Sequence, residues 1–116
     1  MKNLDEKVAF LKSLPSYKAS SNASLVAMAR LMKRKWFTAE SVVVREGDEA
    51  DNVNFCVDGQ LKVIKNLFKK TEKVLNVLGP GSQFGDWGVV NDVPRAASMV
   101  TATNAQILVI VRRRAV

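Results

Sequence analysis

One segment of the chain combines residue types that suit the binding of a phosphate. Residues 79–95 hold four of the six glycines and two of the three prolines in a chain of 116 residues. Glycines at this density let backbone N–H groups approach a bound anion closely, and a short helix starting near Gly85 would direct its positive end at that anion. Arg95, whose direction is restricted by Pro94, offers a planar two-pronged donor to phosphate.

A carboxylate in the same segment suggests a second part of the ligand. Asp86 would be repelled by an anion unless it accepted hydrogen bonds, and sugar hydroxyls are the obvious donors. A phosphate and a ribose together make a nucleotide. Taken alone, however, a glycine-rich loop with one arginine and one aspartate fits a β-turn, a surface ion pair and a helical crossover better than it fits a binding site.

The composition excludes most other chemistry. The chain has no histidine and one cysteine, which removes nearly every transition-metal site and every histidine-based catalytic arrangement. Its longest apolar runs, residues 107–111 among them, are far shorter than the roughly 20 residues of a membrane span, so we expect no span in this chain. The unpaired Cys56 and the lack of an apolar leader in residues 1–6 predict a cytoplasmic setting.

The charge of the chain is strongly basic. Lysine and arginine number 18 against 11 acidic residues, which gives a formal charge of +7 and an attraction for anions. The basic residues are not interleaved with aromatic residues that could stack on bases. We therefore interpret them as solvated surface residues and expect no direct binding of nucleic acid.

The first third of the chain has the apolar spacing of helices. Apolar residues three and four apart predict a short amphipathic helix over residues 4–14, which Pro15 ends. Ser20, Ser21 and Asn22 offer N-cap oxygens for a second helix that runs up to the basic residues 33–35. Residues 1–35 are thus predicted to form an N-terminal helical segment.

From Trp36 onward the pattern changes to alternation. It predicts antiparallel strands at 42–44, 53–57, 61–64, 73–78 and 105–111, with a weaker strand at 101–103. Asp58 and Gly59 are predicted to form a type I′ turn. An open sheet of seven or eight short strands would leave too much unpaired edge, so residues 36–111 are predicted to form a closed or nearly closed β-roll.

Several ordered motifs resemble those of cyclic nucleotide-binding domains. The family's phosphate-binding cassette is similar to two runs of this chain, FGDWGVV at 84–90 and PRAASM at 94–99. Its other motifs have counterparts in FLKSLP at 10–15, VREGD at 44–48 and FCVDGQLKV at 55–63. The resemblance implies a mainly β, jelly-roll-like β-roll with flanking N-terminal helices, a short helix in a cassette spanning 84–99, and the start of a truncated C-terminal helix at 112–116.

The resemblance also implies a ligand site. Arg95 would bind the exocyclic oxygens of a cyclic phosphate, and Asp86 would bind the ribose 2′-hydroxyl. Backbone N–H groups would complete the anion site at Gly85, Trp87, Gly88 and Val89. Family members that prefer cGMP usually have threonine where this chain has Ala96, which favours cAMP over cGMP.

One departure from the family leaves two interpretations of the function open. Asp86 stands where the family usually has glutamate, so its carboxylate has less reach toward the ligand. The favoured interpretation is a regulatory or sensor domain that binds a cyclic nucleotide and relays binding to an unidentified effector by helix movement. The alternative is a degenerate fold that serves as a scaffold without nucleotide. Neither interpretation involves an enzyme, a metal or another cofactor.

Overall fold

The computed structural model describes the backbone of residues 2–111 and their side chains, except those of Lys2 and Trp87. The predicted start of a C-terminal helix, residues 112–116, lies outside the described residues. The chain divides into two compact units, with the boundary between Lys33 and Arg34. No helix among residues 2–111 has both the length and the apolar character needed to cross a bilayer.

The first unit contains two helices, as predicted. Helix α1 covers Lys2–Ser13 and α2 covers Asn22–Leu31, and the two pack against each other. The side chain of Ser21 caps α2 by accepting a hydrogen bond of 3.2 Å from the backbone N–H of Ser24. Buried apolar side chains of this unit are Leu11, Leu14, Leu25, Ala29 and Met32.

Residues 33–111 form eight strands and one short helix. The strands are β1 (Lys33–Phe37), β2 (Val42–Val44), β3 (Asn52–Asp58), β4 (Leu61–Lys65), β5 (Lys73–Leu78), β6 (Gln83–Phe84), β7 (Ser98–Thr101) and β8 (Ala105–Val111). The helix, α3, covers Asp86–Asn91. The strands make two four-stranded sheets with the orders β1-β8-β3-β6 and β2-β7-β4-β5. This arrangement of two sheets and a few helices confirms the predicted mainly β fold.

The core of the second unit draws on both sheets. Its buried members are Cys56, Leu61, Phe84, Met99, Ala105, Ile107 and Val109. Because β3, β6 and β8 belong to one sheet and β4 and β7 to the other, these side chains hold the two sheets together by burial of apolar surface. Burial also raises the pKa of the Cys56 thiol to about 11, so the thiol stays protonated in the core.

Three local predictions are wrong. The basic residues 33–35 do not end α2 but lie in β1, where Arg34 hydrogen-bonds Gln106 of β8. Instead of the weak strand predicted at 101–103, the structure has β7 at Ser98–Thr101, whose last residue pairs with Leu61 of β4. Asp58 and Gly59 do not form a type I′ turn, because only Gly59 has a positive φ and Asp58 closes the turn by accepting the Gly59 N–H at 3.0 Å.

Gly59 and Gly47 provide a matched test of this fold. Both have φ near +90°, but a Cβ on Gly59 would overlap the carbonyl oxygen of Asn104 and lie 2.8 Å from the Ala105 Cα, whereas a Cβ on Gly47 meets nothing within 4 Å. Gly47→Ala should therefore lower the free energy of unfolding by about 1–2 kcal/mol from backbone strain alone. Gly59→Ala adds a backbone clash and should cost about 2–4 kcal/mol.

Urea unfolding of the two variants and the wild type measures this difference. Equal losses at the two positions would contradict the close packing of Gly59 against the segment that enters β8.

Candidate functional site

The backbone of Arg95 is fixed by the loop that precedes β3. The N–H of Gly47 donates to the carbonyl oxygen of Arg95 at 2.8 Å, and the N–H of Arg95 donates to the carbonyl oxygen of Asp48 at 2.9 Å. These two bonds join the end of the predicted cassette to the VREGD motif, which lies almost fifty residues earlier in the sequence. The side chain of Arg95 therefore starts from a defined position.

The guanidinium group of Arg95 is buried and bonded on two sides. Its Nη1 donates to the carbonyl oxygen of Gly85 at 2.6 Å. Its Nη2 donates to the backbone oxygen of Asn52 at 2.6 Å and to the Asn52 Oδ1 at 3.0 Å. Only 8% of the residue is exposed. The three bonds use three of the five N–H donors of a guanidinium and link α3 to β3 through one side chain.

The charge of Arg95 is only partly compensated by its surroundings. Burial lowers the pKa of the guanidinium, while the carboxylates of Asp51 and Asp86 act in the opposite direction. A guanidinium stays charged in a protein at neutral pH. Its direct hydrogen-bond partners are neutral oxygens, so none of these three bonds neutralises the charge of the guanidinium.

A cavity of about 160 Å³ opens beside this group. Its lining is mostly apolar and comprises Val44, Phe84, Gly85, Gly88, Pro94, Arg95, Ala96, Ala97 and Met99. A single charged group in an apolar setting is the usual composition of a small-molecule site, in which a few polar groups fix the orientation of the ligand. The cavity therefore fits a small ligand that carries negative charge.

Two glycines allow the helix to approach the arginine. Gly85, the N-cap of α3, has a φ of 88°, and a Cβ there would lie 2.6 Å from the Nη1 of Arg95. A Cβ on Gly88 would lie 2.6 Å from the Cβ of Ala50. Neither position has room for a side chain. The first turn of α3, whose N–H groups lack partners within the helix, is thereby held next to the cavity.

The predicted site residues fall into two groups. Gly85, Gly88, Arg95 and Ala96 line the cavity. Asp86 and Val89 belong to α3 but are not part of the lining, and the Asp86 side chain is exposed. Trp87 is also in α3, and its side chain lies outside the described residues.

Sequence reasoning missed two residues next to the start of β3 that act on Arg95. Asn52 supplies two of the three hydrogen-bond acceptors of Arg95, and the carboxylate of Asp51 raises the pKa of Arg95 against the effect of burial. A signal was present: Asn52 and Asn54 are two polar residues two apart in a strand that is otherwise apolar up to residue 57, which places them on the same face. Without the fold, nothing connects them to residue 95.

Ala96 is held in place by a separate network. Lys65 donates to the carbonyl oxygen of Ala96 at 3.0 Å and forms a 2.9 Å ion pair with Glu46. Glu46 also accepts the backbone N–H of Asn66 at 2.9 Å. The hydroxyl of Ser98 accepts the backbone N–H of Glu46 at 3.0 Å, so this side chain secures the loop rather than facing the cavity. Among residues 2–111 there is no cluster of side chains suited to a metal ion.

Comparison with known proteins decides the family. Residues 34–115 match the family model of the cyclic nucleotide-binding domain. The chain belongs to the cyclic nucleotide-binding domain family. The resemblance predicted from the cassette and the three other motifs is thus confirmed.

Individual relatives of this cyclic nucleotide-binding domain are much longer. A cAMP-dependent protein kinase regulatory subunit of Eremothecium gossypii is 30% identical over 98 residues, which cover 84% of this chain and 20% of that protein. The chain therefore spans a fifth of the length of this relative.

Solved structures confirm the predicted β-roll. The regulatory domain of Toxoplasma gondii PKA, crystallised with cAMP, superposes with a TM-score of 0.84 at 23% identity, covering 96% of this chain and 42% of that one. The regulatory subunit of a cAMP-independent protein kinase A from Trypanosoma brucei gives a TM-score of 0.88 at 19% identity, covering 97% and 40% of the two chains. At these identities the likeness establishes the fold, and it spans proteins that differ in their dependence on cAMP.

The network around Ala96 predicts an acid-dependent loss of stability. The backbone N–H of Asn66 and then Lys65 hold the pKa of Glu46 below its ordinary value. A carboxyl with a lowered folded-state pKa contributes stability above its unfolded pKa and loses that contribution as the pH falls through the folded value. The wild type should therefore lose more free energy of unfolding between about pH 6 and pH 3 than Glu46→Gln does.

Glu40→Gln is the matched control. Glu40 is exposed and its carboxylate lies 3.6 Å from the ammonium of Lys62, so its removal should change the pH profile less. Urea titrations at each pH provide the measurement, and identical profiles for the wild type and Glu46→Gln would contradict the assignment.

Proposed function

We propose that this domain binds a cyclic nucleotide, cAMP in preference to cGMP, and acts as a regulatory or sensor module without catalytic activity. The observation that carries the proposal is the buried, charged Arg95 at the wall of an apolar cavity, next to the first turn of α3. Family membership supports the class of ligand, and the geometry supports its orientation.

In this proposal the phosphate binds between Arg95 and the start of α3. The three hydrogen bonds of the guanidinium leave two of its five N–H donors for phosphate oxygens. Backbone N–H groups of Gly85, Trp87, Gly88 and Val89 are the proposed further donors. A hydrogen bond to a charged group contributes about 1.5–3 kcal/mol, so Arg95 should dominate the affinity.

The sugar and the base would extend away from the arginine. Small-molecule sites commonly occupy about 300 Å³ or more, and the 160 Å³ cavity is smaller than that. It would hold the phosphate and part of the ribose, with the base projecting beyond it. Asp86 is exposed and outside the cavity lining, and we propose that it binds the ribose 2′-hydroxyl at the rim, directly or through a water.

The preference for cAMP rests on Ala96. Ala96 lines the cavity, and its carbonyl oxygen accepts a hydrogen bond from Lys65. A methyl group offers no hydroxyl to the amino group of guanine, so cGMP would gain no contact that cAMP lacks. Competition between the two nucleotides would measure this preference.

A relay of ligand binding would begin at the same arginine. Arg95 connects Gly85, at the start of α3, with Asn52, at the start of β3. A ligand bound to the guanidinium would act on both α3 and β3. If it binds one conformation of these two elements more tightly than another, it shifts the equilibrium toward that conformation. In the proposed organisation, the helical segment 1–35 precedes the roll at 36–111 in the sequence and residues 112–116 follow it, and these two segments pass the change to an effector.

We propose a cytoplasmic setting for this module. Cys56 is buried and its thiol stays protonated, which suits a reducing compartment. The ligand is the only small molecule that the proposal requires. The effector domain or protein is not identified by the chemistry of this chain.

One observation favours the scaffold alternative. Arg95 already has three protein acceptors, and the carboxylate of Asp86 does not line the cavity. A domain in which these contacts only stabilise the fold would keep the roll and bind no nucleotide. The two functions differ in whether any nucleotide stabilises the protein.

Substitution of Arg95 tests the proposed phosphate contact. Arg95→Lys keeps a positive charge but loses the planar fork, and we expect the Kd for cAMP to rise at least about tenfold, or about 1.4 kcal/mol. Arg45→Lys is the control, because Arg45 is an exposed arginine of the adjacent loop and does not line the cavity. Titration calorimetry, with melting temperatures to establish folding, measures the effect.

Calorimetry of Arg95→Lys and thermal-shift measurements on the wild type have three outcomes that would contradict parts of the proposal. A folded Arg95→Lys variant with wild-type affinity would refute the role of Arg95. Absence of any thermal shift of the wild type with cAMP, cGMP and 5′-AMP would favour the scaffold, since a site at a hundredfold excess of ligand over Kd gains about 2.7 kcal/mol. A shift with cGMP larger than that with cAMP would overturn the predicted preference.

The ribose contact of Asp86 has its own test. Asp86→Ala should raise the Kd for cAMP by about fivefold, the effect of roughly one hydrogen bond, while leaving the affinity for 2′-deoxy-cAMP unchanged. Asp86→Glu should lower the Kd for cAMP if the shorter side chain of aspartate is merely suboptimal. A large loss in Asp86→Glu would instead show that the rim is built around aspartate. Equal losses of cAMP and 2′-deoxy-cAMP in Asp86→Ala would contradict a contact with the 2′-hydroxyl.

A further inference from the structure

Asn54 is a buried amide in the middle of β3. Only 2% of the residue is exposed, and the next residues of the strand, Phe55 and Cys56, are buried and apolar. Burying an amide is costly unless it is hydrogen-bonded, so an apolar side chain would suit this position better for folding alone. The presence of asparagine here calls for an explanation in terms of its bonds.

The side-chain amide of Asn54 forms a hydrogen bond with the side-chain amide of Asn52. The Asn54 Nδ2 donates to the Asn52 Oδ1 at 2.8 Å. The same oxygen accepts the Nη2 of Arg95 at 3.0 Å, while the Asn52 Nδ2 donates to the Asp51 Oδ1 at 3.0 Å. Both ends of the Asn52 amide are therefore specified, the oxygen by two donors and the nitrogen by a carboxylate.

The orientation of this amide matters for the arginine. If the amide were reversed, its NH₂ group would face the guanidinium and the NH₂ group of Asn54, and both contacts would place donor against donor. Asn54 excludes that arrangement from one side and Asp51 from the other. The oxygen of Asn52 is thereby kept directed at Arg95.

We propose that Asn54 is a positioning residue, which fixes the Arg95 guanidinium through the side chain of Asn52 before a ligand arrives. The inference rests on the proposed function for its consequence, which is tighter binding of the cyclic phosphate. An arginine already held in the bound direction loses less conformational freedom when the ligand binds, and that saving appears as affinity.

Asn54→Val tests this role. Valine is apolar and β-branched and suits a buried strand, so the variant should fold with a melting temperature equal to or above that of the wild type. The Kd for cAMP should nevertheless rise by about three- to tenfold, the effect of roughly one hydrogen bond. Binding of adenosine, which lacks the phosphate, should not change. A merely structural role would not separate stability from affinity in this way.

Gln106→Leu is the matched control. Gln106 is another buried amide of the same sheet, on β8, and its partner is Arg34 rather than Arg95. Its removal should leave the affinity for cAMP within about twofold of the wild type, because no contact connects it to Asn52. An equal loss of affinity in both variants would overturn a specific role for Asn54.

A spectroscopic measurement makes the test independent of ligand binding. In the ligand-free wild type, the side-chain ¹⁵N–¹H signals of Arg95 should show restricted rotation of the guanidinium. In Asn54→Val they should broaden or merge, while in Gln106→Leu they should match the wild type. Unchanged Arg95 signals in Asn54→Val would refute the positioning role. Altered signals in a protein that binds no nucleotide would support the positioning role and refute the proposed function.

Discussion

The structure of this domain depends on how it accommodates one buried positive charge. Arg95 is 8% exposed, and its direct partners are the carbonyl oxygens of Gly85 and Asn52 together with one amide oxygen. Neutral oxygens satisfy hydrogen bonds without neutralising the charge, so the group remains attractive to an anion. An ion pair in the same place would have satisfied the arginine and removed that attraction.

The surrounding elements follow from this constraint. Bringing α3 close enough for the Gly85 carbonyl to reach the guanidinium requires glycine at the N-cap and again at Gly88, where a Cβ would collide with Ala50. Bringing β3 close enough requires the loop before it to pair with the backbone of Arg95, which Gly47 and Asp48 do. Glycines that looked like a phosphate loop in the sequence thus also serve as packing sites around the arginine.

The same site bears on both interpretations of function. Family membership establishes the type of domain, while the related folds include one solved with cAMP and one described as cAMP-independent. The fold is therefore compatible with either behaviour. In this chain the proposed contacts that bear on the choice of ligand are those of Asp86, with its short reach, and Ala96, with no hydroxyl.

The sequence by itself determined the two helices, most of the strands, and the order of motifs that identified the family, because these depend on local periodicity and on residue types a short distance apart. It also predicted that Gly85, Gly88, Arg95 and Ala96 lie together, since all four fall within one cassette. The tertiary structure alone decided that Asn52 and Asn54 support Arg95 and that residues 33–35 form a strand rather than a helix end. Those outcomes depend on pairing between segments more than forty residues apart, and no local pattern carries the energy of such contacts.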